Sequence, residues 1–582
     1  MNGPDVRRAQ SEATRLLSAG AYLDSSFRRR VVGELIGHAE RPVPPSLGVD
    51  VLSVLAHAVR ARAQEVWAAL ALLAVWIGFF AAEAELTGAD GAYFDPEVAS
   101  QAFSDPSLTG IVSDGSALWP YLYAQLCLGL VLARFVAGKR PAPYSPVERE
   151  VPLPAIRHAG AISRARRVIG WLLTVYVRLG FVVYWFAAVV NLPDDPFPLV
   201  FPIALGLVVW VYRASVETVL RDELGRDTFR DTPAVTALPL TPRCRTVAAA
   251  VEREQHAMGA LYDPYQPFIG AGVPYQPWSF ALELKRKKEL KPGVPAQAGA
   301  EEGAAARELT AARIVELVKE PLRQLRAATA ANSVDRLRDL EIDEFVYLPA
   351  GVGREEGFYH ADAIDQHVRD AVDEGGEGRR HFLRVRVGAW DEQVVVTVFV
   401  RVHTQGRMLV LEVAPHVLGP VREEFRDVDA VVALDGHGDL AREALKALLA
   451  APTAVFTLGA SAARTVAEAV RRSWDAPERR PAGAPLLSVR ELGSTDELSL
   501  LQEMDVSRYV KTLQDRIASG VRDALEGDGY QTDRFEQHIV NVGDGGVFIK
   551  DMSGGYAVGK VTGGAVAMGE NSSATATAGG GN

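Results

Sequence analysis

The densest group of metal-ligating residue types in the chain is Asp435-Gly436-His437-Gly438-Asp439, two carboxylates around one imidazole. That donor set suits a divalent cation. The alternating glycines also suit a plain flexible turn, so the group is a weak metal candidate. His360 and His367 lie seven apart, near Asp370, on a stretch with helical spacing. Gly351, Gly353 and Gly357 form a glycine-rich loop, but their spacing misses the dinucleotide fingerprint, and Glu355 and Glu356 would repel a pyrophosphate. No G-x-x-x-x-G-K-[ST], H-E-x-x-H or G-x-S-x-G pattern occurs. No catalytic residue is therefore assigned, and no cofactor is expected.

One further residue stands out by its surroundings. Arg178 lies inside the apolar run VIGWLLTVYVRLGFVVYWFAAVV, residues 168–190. Eleven residues past Arg167, at about 1.5 Å per residue, it reaches roughly the bilayer midplane. It should then face the interior of a helix bundle, with Gln125 and Tyr123 as partners at similar depth. Binding of an anion or of a lipid head group, a two-state latch and a structural pin are its readings.

The elements that would position these residues are apolar runs. Four are long enough to cross a bilayer, which takes roughly 20 residues. They are 66–82, 118–137, 168–190 and 197–214. Arg28, Arg29, Arg30, Arg60 and Arg62 precede the first. The first connection carries acids such as Glu83, Asp90 and Asp105 and no Lys or Arg. The second carries Lys139, Arg140, Arg149, Arg157, Arg164, Arg166 and Arg167. The third is a short turn with Asp194 and Asp195, and Arg213, Arg221, Arg226 and Arg230 follow the last run. Positive charge stays on the cytoplasmic side, so the pattern predicts a cytoplasmic-membrane protein with both termini inside. The lipid bilayer is its first expected partner. The polar start MNGPDVRRAQSEATR has no apolar core and reads as no secretory signal. The net charge of −11 argues against non-specific nucleic-acid binding. Cys127 and Cys244 are the only cysteines and form no framework.

The rest divides by composition. Residues 1–64 read as amphipathic helices broken by the prolines of 40–50, and 65–214 as the four-span region. Residues 215–303 are a connector and linker, 304–544 an α+β domain, and 545–582 a glycine-rich tail. The segment 260–282, rich in Pro, Gly and aromatics, reads as irregular but packed, because its rings need cover. HFLRVRVGA, QVVVTVFVRVH and RMLVLEVAPHVL read as an antiparallel meander with helices on one face. The stretch 447–463, with Pro452, reads as a helix pair on the membrane or in the domain rather than a fifth span. Further on, Val506, Tyr509, Val510, Leu513, Ile517, Val521 and Leu525 form one helical stripe after Asp505 as N-cap. The expected fold is an all-α four-helix membrane bundle plus a cytoplasmic α+β domain with an antiparallel sheet.

The tail contains three nines, each opened by Gly-Gly, at 545, 554 and 563. Short β-forming runs between glycine turns bury little alone, which suggests pairing, for instance homo-oligomer formation through residues 545–571. PPSLGVDVLSVLAHAVRARA, YDPYQPFIGAGVPYQPWSFAL, VFVRVHTQGRMLVLEVAPHVL and MDVSRYVKTLQDRI resemble a group of large, uncharacterised multi-pass membrane proteins of actinobacteria. That resemblance implies no activity and no site residues. The sequence favours a non-enzymatic membrane scaffold or signalling component. Transport through Arg178 and a membrane-surface enzyme are its alternatives.

Overall fold

The computed structural model describes residues 11–46, 48–86, 119–137, 160–229, 238–239, 241–287, 309–332, 335–349, 356–374, 376, 378–388, 393–434, 440–474 and 485–536. Ser11 caps α1 (Glu12–Leu23) by accepting the Thr14 N–H, and Asp24 caps α2 (Ser25–Val32) through the Ser26 N–H. Small hydroxyl and carboxylate side chains are the ones that satisfy a helix's first free donors. After the proline break comes α3 (Val51–Leu86), one uninterrupted helix of 36 residues. Its first half packs against α1 through Val54, Leu55, Ala58 and Ala61, and its second half is the first apolar run.

α4 (Trp119–Val136), α5 (Gly160–Val190) and α6 (Phe197–Asp222) follow. With α3 they share a core that is aromatic at one end. Phe79 stacks on Phe201 at 5.0 Å, and Tyr123 meets Phe181 and Tyr184 edge-on or tilted at 5.8 and 5.2 Å. The opposite end is polar. Arg60 holds Glu223 at 2.7 Å, and Arg28 is bonded to Glu65 between buried side chains.

Past α7 (Pro242–Glu254) the chain builds a sheet. Its strands are β1 (Gly259–Tyr262), β2 (Val273–Pro274), β3 (Trp278–Glu283), β4 (Glu341–Pro349), β5 (Arg380–Val387), β6 (Val395–Gln405) and β7 (Met408–Leu418). The order is β1-β4-β5-β6-β7-β2, with β3 also on β7. β5 to β7 run antiparallel, as the sequence predicts for these three runs; β4 joins β5 antiparallel and β1 joins β4 in parallel, so the sheet is mixed. The turn from β6 to β7 has Gly406 and Arg407 at φ 56° and 65°, the left-handed pair that matches hairpin twist. Three of the strands come from 259–283, which the sequence assigns to an irregular connector. Pairing with distant strands overrides the weak local signal of Pro and Gly there.

One sheet face carries Val396, Val398, Val400 and Val402 and packs on α8 (Ala311–Asn332) and α12 (Leu500–Gly527). All seven residues of the predicted stripe on α12 are buried. The N-cap is Ser499 rather than Asp505, because Ser499 and Gln502 form a reciprocal capping box one turn and a half upstream. α9 (Ala361–Glu374) covers the β4 end through Ile364 and Ala371.

Between α10 (Asp427–Leu434) and residue 485 lies α11 (Leu440–Trp474). It is one helix of 35 residues despite Pro452, where the sequence reads a helix pair. Ala447, Ala451, Ala454 and Leu458 on it enter the bundle core. Gly206 of α6 lies so close to Leu448 that an added methyl group would stand 2.8 Å from its Cδ1. Among the described residues, five helices are long and apolar enough to cross a membrane, the fifth spanning Ala444–Glu468. That is one more than the four apolar runs of the sequence.

Candidate functional site: an aromatic cavity on the sheet

The second sheet face alternates rings with ion pairs. Register places Glu341 opposite Arg386, Asp343 opposite Arg384, and Glu412 opposite Arg401. Each opposed pair is bonded: Arg384 to Asp343 at 3.3 Å, Arg401 to Glu412 at 3.3 Å, and Arg386 to Glu341. The three guanidinium groups are nearly fully buried. Burial, reinforced by the neighbouring Arg386, pushes Arg384 down to about 10, still charged near neutrality. Its Cζ sits 4.5 Å from the Phe345 ring centre, where the π face favours a cation.

Further along the same face stand Phe345, Tyr347, Phe382 and Phe399. The loop between β1 and β2 folds over them. Its Phe268 stacks on Phe399 at 4.4 Å and 19°, and meets Tyr347, Phe382 and His416 edge-on. Burial raises the Tyr347 phenol and lowers the His416 imidazole, so both rings are neutral around pH 7.

The loop is held from a different part of the chain. The Glu491 carboxylate accepts the N–H groups of Gly270 at 2.7 Å and Gly272 at 2.9 Å. Burial raises this carboxyl, and the two backbone donors oppose the rise. Both glycines have positive φ, 96° and 87°, and a Cβ on Gly272 would lie 2.2 Å from the Val417 carbonyl oxygen. Only glycine fits that approach.

Between this loop and the sheet is an open cavity of about 390 Å³, lined by Tyr262, Phe268, Trp278, Tyr347 and Phe382, with Arg380 and Glu412 among its polar residues. Three prolines, Pro264, Pro267 and Pro277, stiffen its rim. The Trp278 indole N–H is buried and has no acceptor among the described residues. This volume suits a small molecule, and the wall suits one with a flat apolar body. Among the described lining residues there is no histidine, cysteine or lysine.

The residues singled out by the sequence do not converge here. Asp435, His437 and Asp439 lie outside the described residues, as do the nines of 545–571. Among the described residues no group of three His, Cys, Asp or Glu could hold a metal. Tyr123 is buried among rings and Gln125 is half-buried on α4. Arg178 departs from expectation: it is exposed rather than turned into the bundle. The inward stripe of α5 is Val177, Tyr184 and Ala188, with Phe181 packed against it. Arg178, one residue along, lies off that stripe on the side of exposed Val175, Leu179 and Val182. The cavity residues escaped sequence reading because they come from five separate strands and a loop. The one usable signal was the ring density of 260–282.

No curated protein and no solved structure matches the chain. Residues 277–555, from the start of β3 past the end of α12, match the family of the AbeC-like domain.

Proposed function

We propose that the chain is a non-enzymatic signalling component of the cytoplasmic membrane, whose sheet domain receives a small aromatic ligand in the cavity under Phe268. The cavity itself is the observation that carries this reading: a ring-lined, proline-rimmed space with a few polar groups and no histidine, cysteine or lysine in its described lining. The route for a signal is short. Glu491 fixes the cavity roof, and it belongs to the turn Val489–Leu492. Next to that turn, Gly493 packs against Leu17 of α1 and against Phe425. Ligand that shifts the roof would therefore bias the contact between the sheet domain and the helices at the membrane. Both termini on the cytoplasmic side and self-association through 545–571 complete the proposal.

The test uses the full chain in lipid nanodiscs and a panel of aromatic carboxylates, aromatic amines and aromatic amino acids. A true ligand at 100 times its Kd raises stability by about 2.7 kcal/mol, read as a rise in melting temperature. Tyr347→Ala should abolish that rise while leaving the chain folded. A panel without a single shift, at millimolar concentrations, sinks the receptor reading.

A further inference from the structure

We infer that the exposed side of α5 is a helix-docking seam centred on Arg178, and that its occupant is a transmembrane helix of another membrane protein carrying an aspartate or glutamate near its midpoint.

The first argument is depth. Arg178 lies eleven residues past Arg167 and twelve before Val190, about 16 Å and about 18 Å along a helix. Packing gives the same depth without counting. An added methyl group on Gly129 of α4 would stand 3.2 Å from Val177, and one on Gly180 would stand 2.7 Å from Leu126. Leu126 and Gly129 are in the middle of α4. A guanidinium group is always charged, and a charge at the centre of the hydrocarbon is costly unless it is paired. Arg134 on α4 meets that cost inside the bundle, where it donates to the Thr453 hydroxyl of α11 at 3.1 Å. Arg178 is exposed and has no hydrogen-bond or ion-pair partner among the described residues. Its partner must come from outside this bundle.

The second argument is spacing. Trp171, Val175, Arg178, Val182, Trp185 and Val189 follow one another at alternating steps of four and three. That is the heptad seam along which two helices pack side by side. At 3.6 residues per turn the other five all fall within about 60° of Arg178. Trp171, Val175, Val182 and Val189 are exposed, and Trp185 is half-buried. Among the described residues α5 also has the smallest buried share of the five apolar helices. The seam has the shape for a neighbouring helix, and the described part of this chain leaves it open.

Charge selects the occupant. A second copy would bring no carboxylate to this depth. None of the runs 66–82, 118–137, 168–190 and 197–214 contains Asp or Glu, and within Ala444–Glu468 the one acid is the last residue. A lipid phosphate stays in the headgroup layer, half a bilayer away from Arg178. A helix of a different protein with a carboxylate at its own midpoint brings the opposite charge to the right depth, and the pair is a charge-assisted hydrogen bond away from water.

The inference goes beyond the proposed function and shares its membrane reading. The test uses the full chain in phosphatidylcholine vesicles, with a fluorescent acceptor on Val190→Cys. The probe is a synthetic leucine–alanine helix of about 23 residues, with a donor dye at one end and Asp at its centre, so that either orientation brings the carboxylate to mid-depth. Energy transfer should report association. Apparent affinity should fall about tenfold or more when Leu replaces the central Asp of the probe, and by a similar factor with Arg178→Leu. The first comparison changes the probe alone, so it stands whatever the substitution does to the chain. Arg178→Leu lies off the inward stripe of α5 and should keep the parent melting temperature. Equal association of the Asp and Leu probes would mean a surface blind to charge and overturn the inference, and so would no association of either. Energy transfer between two labelled copies of the chain with no probe added, lost with Arg178→Leu, would make the occupant a second copy and overturn it too. A nitroxide on Val182→Cys, read by collision with oxygen against a water-soluble nickel chelate, is the control for depth. It should sit near the midplane. A shallow label would remove the membrane reading and this inference with it, whereas a deep label with no association would remove this inference alone.

Discussion

Arg15 and Asp429, 414 positions apart in the chain, meet at 2.9 Å, and the same guanidinium donates to the Leu224 carbonyl at 2.9 Å and to Glu12 at 2.5 Å. One buried side chain thus ties the first helix, the end of α6 and the start of α10 together. Both carboxylates are partly exposed, so losing Arg15 leaves them access to water. The main cost is then the stranded carbonyl and the empty volume. Arg15→Ala should destabilise the chain by about 2–3 kcal/mol, while Asp429→Asn should cost less than half of that. Melting curves of the full chain in detergent would show it; equal losses from the two changes would mean the pair, and not the arginine, is what matters.

The roof of the cavity should depend on one glycine. Gly272→Ala adds a methyl group at positive φ against the Val417 carbonyl, and the atoms it meets are all backbone of strand β7. A loss of about 2–4 kcal/mol is expected, together with loss of any ligand-induced shift. Gly406→Ala is the control. It also has positive φ but meets nothing within 4 Å, so it should cost only about 1 kcal/mol. If the two changes cost the same, the close approach at Gly272 is not what fixes the roof.

Acid should weaken the sheet domain through Glu344. Its carboxyl is held down to about 2, first by the hydrogen bond from His381 at 2.8 Å and then by Lys319, against the opposing effect of burial. The folded value lies below the ordinary carboxylate value of about 4.3. The stabilisation is therefore complete above that value and lost as pH falls toward 2. After solvent screening it amounts to about 1–2 kcal/mol. Glu344→Gln should flatten the fall in melting temperature between pH 5 and about 2. An unchanged slope would assign the acid sensitivity elsewhere.

Particular residues mark how far the sequence could be read. The β-branched run of β6 and the seven-residue stripe on α12 announce themselves by period, and the structure buries both. Arg15 gives no such sign. An arginine in a polar N-terminal stretch reads as solvated, and its burial depends on a partner 414 positions later. Glu491 is equally silent, since its work is to accept two N–H groups from a loop over two hundred residues upstream. Arg178 misled for a different reason. Depth in a bilayer can be counted along the chain, but the face it occupies is set by Val177, Tyr184 and Ala188, whose inward turn fixes the rotation of α5. Pro452 misled likewise, because packing of Ala447, Ala451 and Ala454 on the bundle holds the helix together around it.

The tail offers a prediction that needs no cavity. If the nines of 545–571 pair between copies, the full chain in mild detergent should run as a larger particle than a chain ended at Asp544. Light scattering coupled to size exclusion would measure both. Identical masses would leave the helices and the sheet domain to act as a single copy.

The contact of Gly20 with Phe425 has a consequence for how the chain is made. Ribosomes add about 5–20 residues per second, so α1 waits roughly 20–80 s between its own synthesis and the arrival of the ring that covers it. During that interval the four apolar runs are already passing into the membrane. β3 waits a shorter time, about 7–27 s, for β7. The helices at the front of the chain and the first strands of the sheet are thus made early and completed late. The body at the membrane surface closes only near the end of translation, as residues 420–494 knit both ends of the chain together. A ribosome stalled before Phe425 would leave the membrane helices inserted and the surface body open, with Phe27 and the cavity rings exposed to chaperones and proteases.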